Sequence, residues 1–249
     1  MPAYNEAERI APSLEAILAF AARSGRPVEI LVVDDGSDDD TAGIARRLVE
    51  PGGKDREPRG RVLVNDRNRG KGFSIRRGVL AARGEIVLVS DADLSTPIEE
   101  VAVLLDRLER NRRGLVIGSR ALRESRVEVH QSFLREIMGK IFNRIVRLMT
   151  GLPFRDTQCG FKLMVREDVT PIFARARIDG FSYDVELLYV AVRAGLPVEE
   201  VGVTWRNAPG SKVGMLSDPL KMFRDVLRVR RRYRQGLYTT GDDDGPNRA

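Results

Sequence analysis

The stretch Glu85-Ile86-Val87-Leu88-Val89-Ser90-Asp91-Ala92-Asp93 constrains this chain most, because it reads as a buried strand whose exit carries two carboxylates. Side chains alternate along an extended backbone, so Asp91 and Asp93 fall on one side of that exit. Two such carboxylates can hold a hard cation, Mg²⁺ or Mn²⁺, and leave coordination positions open to phosphate oxygens. An isolated Asp-x-Asp is more often a polar turn after a strand. Here the pair has company.

The first half of the chain alternates strand-like and helical segments, the pattern of parallel strands with helices on both faces. Residues 29–33 read as a buried strand ending at Asp34-Asp35-Gly36-Ser37. Shorter strands are expected at 62–64, ending at Asn65-Asp66, and at 115–118. Asn5 can cap a helix with Glu8 three positions on, after which Ile10, Leu14, Ile17, Leu18 and Ala21 recur on one face. Residues 70–83 read as a second helix, and Thr96-Pro97-Ile98-Glu99 as a capping box with proline at the first helical position. The glycine-rich 51–60 segment reads as a surface loop. Each polar cluster follows a strand, and open α/β sheets bind ligands outside those carboxyl ends.

With 249 residues, 42% of them hydrophobic, the chain can bury the core of one catalytic domain. A single cysteine, Cys159, rules out an internal disulfide, and a single histidine leaves no His/Cys set for structural zinc. No run reaches the roughly 18 apolar residues that span a bilayer, and the N-terminus lacks a signal-peptide pattern, so a soluble or membrane-surface protein is expected. The net charge of +6 favours acidic partners: nucleic acid, anionic lipid or a phosphorylated small molecule. From Phe133 to Leu148 the apolar Phe133, Ile137, Ile141, Phe142, Ile145 and Leu148 alternate with Arg135, Lys140, Arg144 and Arg147. That stripe suits either a packed helix or one lying on anionic lipid. Residues 225–234 repeat the theme with more arginine.

The motifs Pro2-Ala3-Tyr4-Asn5-Glu6, Val33-Asp34-Asp35-Gly36-Ser37, Asn68-Arg69-Gly70-Lys71-Gly72, Asp91-Ala92-Asp93 and Gly118-Ser119-Arg120 follow in the order seen in GT-A inverting glycosyltransferases. Asp156-Thr157-Gln158-Cys159-Gly160-Phe161-Lys162, Tyr183-Asp184-Val185-Glu186 and Ser211-Lys212-Val213 further resemble the polyprenyl-phosphate (dolichyl-phosphate) branch, nearest its glucosyltransferase members. The resemblance implies an α/β GT-A fold, a Rossmann-like mixed sheet flanked by helices. Its catalytic domain would span 1–215 with an amphipathic helical insert at about 130–150, a basic helix at 216–236 and a disordered tail at 237–249. Family members carry an apolar first strand before Pro2, and here Met1 directly precedes the motif, so that strand is expected to be missing.

The resemblance also implies chemistry. The expected reaction is inverting, metal-dependent transfer of a hexose to polyprenyl phosphate from a nucleotide diphosphate sugar, UDP-glucose first and GDP-mannose second. The alternative is a soluble or glycan hydroxyl acceptor. Pro2, Tyr4, Glu6, Asp34, Asp35 and Lys71 would bind the nucleotide sugar, with Asp35 as the preferred contact and the glycines beside Lys71 allowing close approach to the donor. Asp91 and Asp93 would hold Mg²⁺ or Mn²⁺ and the diphosphate, acting with Arg120 as the catalytic set. Arg120, Arg135 and Lys212 would take the acceptor phosphate. A phosphate monoester, with a second pKa near 6, is already anionic and needs no strong base. Were the acceptor a hydroxyl, Asp156, Asp184 or Glu186 would have to serve; otherwise they position the acceptor or the fold. Cys159 and Trp205 are expected to pack. An anionic membrane surface at the cytoplasmic face is the expected location, and nucleic acid is not an expected partner.

Overall fold

In a computed structural model of the chain, residues 1–50, 60–129, 133–206 and 217–238 are described, with backbone alone at 133–138, 140, 142 and 217–220. The elements run β1 (Pro2–Ala3), α1 (Ile10–Arg23), β2 (Ile30–Asp34), α2 (Thr41–Val49), β3 (Gly60–Val64), α3 (Lys71–Ala81) and β4 (Ile86–Val89). A 3₁₀ turn (Ile98–Glu100) then enters α4 (Val101–Asn111), followed by β5 (Leu115–Ser119), β6 (Arg126–Val129), α5 (Phe133–Thr150) and β7 (Lys162–Val165). The remainder is α6 (Arg166–Arg175), α7 (Tyr183–Arg193), β8 (Val198–Gly202), β9 (Thr204–Arg206) and α8 (Ser217–Arg234).

β1, β2 and β3 form a parallel sheet, with Val33 opposite both Pro2 and Leu63. A second sheet has the order β4, β7, β5, β8, in which β7 runs antiparallel between β4 and β5 while β8 is parallel to β5. Because β7 is reversed, its first residue, Lys162, sits at the carboxyl ends of its neighbours, opposite Val89 and Ile117. β6 and β9 make a separate parallel ribbon.

Period-two alternation sorts the strand side chains into layers. Phe161, Leu163 and Val116 face one way and bury against Leu104 and Leu108 of α4, four residues apart on one helical stripe. Met164 and Leu115 face the other way, against Ile75, Phe173 and Leu187 of α3, α6 and α7. Lys162, in phase with Met164, is therefore aimed at the α7 side. A third cluster, Ile10, Leu14, Val32, Ala45 and Val49, fills the space between β2, α1 and α2. Leu88 touches that cluster and the α4 cluster, joining the two sheets through side chains.

Several local expectations are revised. The first-strand position is held by Pro2 and Ala3 alone: the Met1 carbonyl accepts the Val33 N–H at 2.8 Å, so the missing strand narrows to a short one supplied by the motif itself. α1 starts at Ile10 and not beside Asn5, because the Asn5 side chain accepts the Asp38 N–H at 2.8 Å and its φ of 52° is left-handed. Pro97 stands in extended backbone before the 3₁₀ turn, not inside a helix. β8 and β9 are separated at Val203, whose N–H binds Ser119 O and whose carbonyl takes the Arg126 N–H, which frees β9 to pair with β6. Tyr238, assigned to the tail, is buried, and its hydroxyl donates to Glu186. Of the expected 51–60 loop, Gly60 opens β3; residues 51–59 lie outside the described residues, as do 239–249.

Candidate active site

The loops after β2 and β3 are wired to one another by carboxylates. Asp34 accepts the Ser37 N–H at 3.1 Å and its hydroxyl at 2.5 Å, and the Ser37 oxygen accepts the Asn5 N–H at 2.9 Å. Glu6 binds the Arg9 guanidinium at 2.7 Å, while its N–H donates to Thr41 Oγ1. Pro2 lies in β1, and Tyr4 is half-buried beside it. Asp35, buried, accepts from Asn65 Nδ2 (2.6 Å), Arg69 N (2.9 Å) and Gly70 N (2.8 Å), so most of its acceptor capacity holds the turn that launches α3. Lys71 is the first residue of that helix. The flanking glycines have a packing role in the fold itself. A Cβ at Gly70 would lie 2.4 Å from Asp179 O, and one at Gly72 2.5 Å from Ile178 O, so they permit backbone packing against the 178–180 loop.

At the β4 exit, Asp91 and Asp93 are partly exposed while Ala92 between them is buried. Asp91 Oδ1 lies 2.6 Å from Lys71 Nζ, and Asp91 Oδ2 packs against Gly160, where a Cβ would come within 2.1 Å. Asp93 Oδ1 accepts the Ser95 N–H at 3.0 Å. Burial pushes the Asp91 carboxyl up, but Lys71, with Lys162 and Arg120 behind it, outweighs that and holds it below the ordinary value. Burial likewise pulls the Lys71 ammonium down, and Asp91, then Asp184 and Asp93, carry it above its ordinary value. Among the described residues no group of three or more His, Cys, Asp or Glu could hold a metal ion. Two carboxylates fit Mg²⁺ or Mn²⁺ that takes its other ligands from water and phosphate.

Beneath this pair lies Lys162, the last residue of the Asp156–Lys162 motif. It is fully buried; its Nζ stands 2.6 Å from Asp184 Oδ1 and donates to the Cys159 carbonyl. Burial raises the Asp184 carboxyl despite Lys162, and raises Tyr183 well above its ordinary value, with Asp184 adding to the effect. A lysine leading an apolar strand in phase with buried Met164 was the available signal. Cys159 is buried, as expected of a packing residue, and its thiol is raised chiefly by burial.

Arg120 follows β5 and is held bidentately by Asp156, Nε to Oδ2 at 2.6 Å and Nη2 to Oδ1 at 2.9 Å, with its guanidinium 5.5 Å from the Trp205 ring centre. Burial opposes ionisation of Asp156, but Arg120 prevails and lowers its pKa to about 2. That makes Asp156 a poor proton acceptor and a positioning group for Arg120. Glu186 departs from the base expectation too: buried, it accepts the Arg177 and Ile178 N–H groups and the Tyr238 hydroxyl, which ties α7 to the C-terminal segment. The Arg135 side chain and Lys212 lie outside the described residues. The Asp156 pair has a pH signature. A folded pKa of about 2 against the ordinary 3.8 gives stability that is present above pH 4 and lost as pH falls through 2. In urea unfolding, the stability gap between wild type and Asp156→Asn should narrow by about 1 kcal/mol from pH 6 to pH 3. A gap that does not change with pH contradicts this.

A parallel sheet with acidic loops at its rim, joined to a mixed sheet whose exit carries Asp91 and Asp93, is the architecture of a GT-A nucleotide-sugar transferase. The family model described as Glycosyl transferase family 2 matches residues 1–173, and the chain belongs to that family. It is 36% identical over 247 residues to the dolichyl-phosphate beta-glucosyltransferase of Dictyostelium discoideum, covering 96% of this chain and 75% of that protein. The Drosophila melanogaster protein of the same name is 38% identical over 248 residues, 96% and 75%. Among solved structures, glucosyl-3-phosphoglycerate synthase from Mycobacterium tuberculosis in complex with UDP aligns with a TM-score of 0.67 at 23% identity, over 96% of this chain and 80% of that one. The same enzyme with Mn²⁺ and UDP-glucose aligns at 0.64 and 22% identity, over 96% and 80%.

Proposed function

We propose that this chain transfers glucose from UDP-glucose to a polyprenyl phosphate, dolichyl phosphate in kind, with inversion at the anomeric carbon. The observation that carries the reading is the β4 exit, where Asp91, two residues from Asp93, is paired with Lys71 and also feels the positive charge of Lys162 and Arg120. The relatives named above supply the sugar and the lipid. Donor diphosphate and acceptor phosphate repel each other, so a site that joins them must supply compensating positive charge. Asp91 and Asp93 would hold Mg²⁺ or Mn²⁺, which when bound neutralises charge on the departing diphosphate. Of the roughly five N–H donors of a guanidinium, Arg120 uses two on Asp156 among the described residues, and others could meet acceptor phosphate oxygens. The lipid phosphate brings its own anionic oxygen, consistent with an Asp156 too acidic to act as base. Pro2, Tyr4, Glu6, Asp34 and Asp35 would frame the nucleotide. Incubation with Mn²⁺, polyprenyl phosphate and a panel of nucleotide sugars tests the donor: UDP-glucose should give lipid product, and product from GDP-mannose alone contradicts the choice.

The acceptor lipid would be met at the cytoplasmic face of a membrane. No helix among the described residues is long and apolar enough to cross one. α5 and α8 pack together through Val146 and Val226, leaving Ile141, Ile145 and Leu148 on α5 and Phe223 and Leu227 on α8 exposed among Arg144, Arg147, Arg224 and Arg228. Apolar stripes flanked by arginine suit an anionic bilayer surface. Ile145→Glu with Leu148→Glu should reduce sedimentation with anionic liposomes on the order of 10-fold or more while the melting temperature holds. Undiminished sedimentation contradicts the surface assignment.

A further inference from the structure

We infer that Lys71 is an internal counter-cation that occupies Asp91 until a nucleoside diphosphate arrives, so that divalent-cation uptake is coupled to nucleotide uptake. This deepens the reading that Asp91 and Asp93 hold the cation, and rests on it. Three observations carry it. Lys71 Nζ sits 2.6 Å from Asp91 Oδ1, while the other oxygen of that carboxylate is pressed against Gly160. A Cβ at Gly160 would lie 2.1 Å from Oδ2 and 2.6 Å from Oδ1, so the whole carboxylate is seated on that backbone, with the ammonium on Oδ1.

Lys71 cannot withdraw by moving its backbone. The preceding Gly70 N–H is bound to Asp35 at 2.8 Å, and Gly72 is closed against Ile178 O. Release from Asp91 must come from the four-carbon side chain, which is flexible. In its present position the ammonium is attracted by Asp184 and Asp93 as well as by Asp91. A dication offered alone meets a like charge at contact distance and is disfavoured. Offered together with a diphosphate, it comes with anionic oxygens that can take over the Lys71 ammonium. Asp35 belongs to the same device, since the carboxylate assigned to the nucleotide pocket also fixes the turn that aims Lys71.

The test is Mn²⁺ binding to the whole protein by electron paramagnetic resonance, with and without UDP. In wild type, UDP should tighten Mn²⁺ by about 10-fold or more. In Lys71→Met, Mn²⁺ without UDP should tighten by about 10-fold, and the gain from UDP should shrink correspondingly; Lys71→Arg should keep the wild-type pattern. Lys71→Gln serves in its place should Lys71→Met fold poorly by circular dichroism. Unchanged or weaker Mn²⁺ binding in the folded neutral variant overturns the proposal. Asp93→Asn separates the two layers. Loss of Mn²⁺ binding in Asp93→Asn without a gain in Lys71→Met refutes the counter-cation alone, whereas full Mn²⁺–UDP binding in Asp93→Asn refutes the metal-site reading beneath it.

Discussion

Asp93→Asn is expected to lower turnover on the order of 10²–10³-fold, the scale of losing one preorganised electrostatic contact to a developing charge. The substitution is clean because asparagine keeps a carbonyl oxygen that can still accept the Ser95 N–H, now received at 3.0 Å. Only the negative charge is removed, so the melting temperature should hold while kcat falls, and chelation of divalent cations should reproduce the loss. Asp91→Asn is less clean, since it also strips Lys71 of its partner at 2.6 Å. Activity that survives both chelation and Asp93→Asn removes the carboxylate pair from the mechanism.

Lys162→Met should cost stability, not merely activity. Removing one member of a buried ion pair leaves the other charged and uncompensated, at about 3–5 kcal/mol. Asp184 is 3% exposed and Lys162 fully buried, so water cannot make up the difference. For a chain of this size that loss corresponds to a fall of roughly 6–20 °C in Tm. Burial already raises the Asp184 carboxyl, and without Lys162 it should stay protonated to higher pH, so the loss should be smallest in acid and grow as pH rises. The double variant Lys162→Met with Asp184→Leu should recover most of the stability, because an apolar pair can replace an ionic one. A single variant as stable as wild type at pH 8 contradicts the pairing.

What could be read from the sequence was local. Apolar runs ending in carboxylates located β2 and β4, and helical periodicity located α1 and α3, because each depends on side chains close in the chain. β7 could not be placed that way. Its reversed position between β4 and β5 is a long-range pairing, and only that pairing brings Lys162 and Gly160 beneath Asp91. Asn5 misled for a related reason: its side chain chose the Asp38 N–H, thirty-three residues away in sequence, over a helix of its own. The acidic residues could be named as a group from the sequence, but their division of labour depends on burial and partners. Asp156 holds Arg120 and Glu186 holds backbone and Tyr238, which composition cannot show.

The most direct test pairs acceptors. With Mn²⁺ and UDP-glucose, purified protein should glucosylate polyprenyl phosphate to a product whose anomeric carbon, by NMR, is β where the donor was α, and should leave hydroxyl acceptors untouched. Glucose found on a hydroxyl acceptor with the lipid phosphate unmodified, or retained α configuration in the lipid product, would contradict the account.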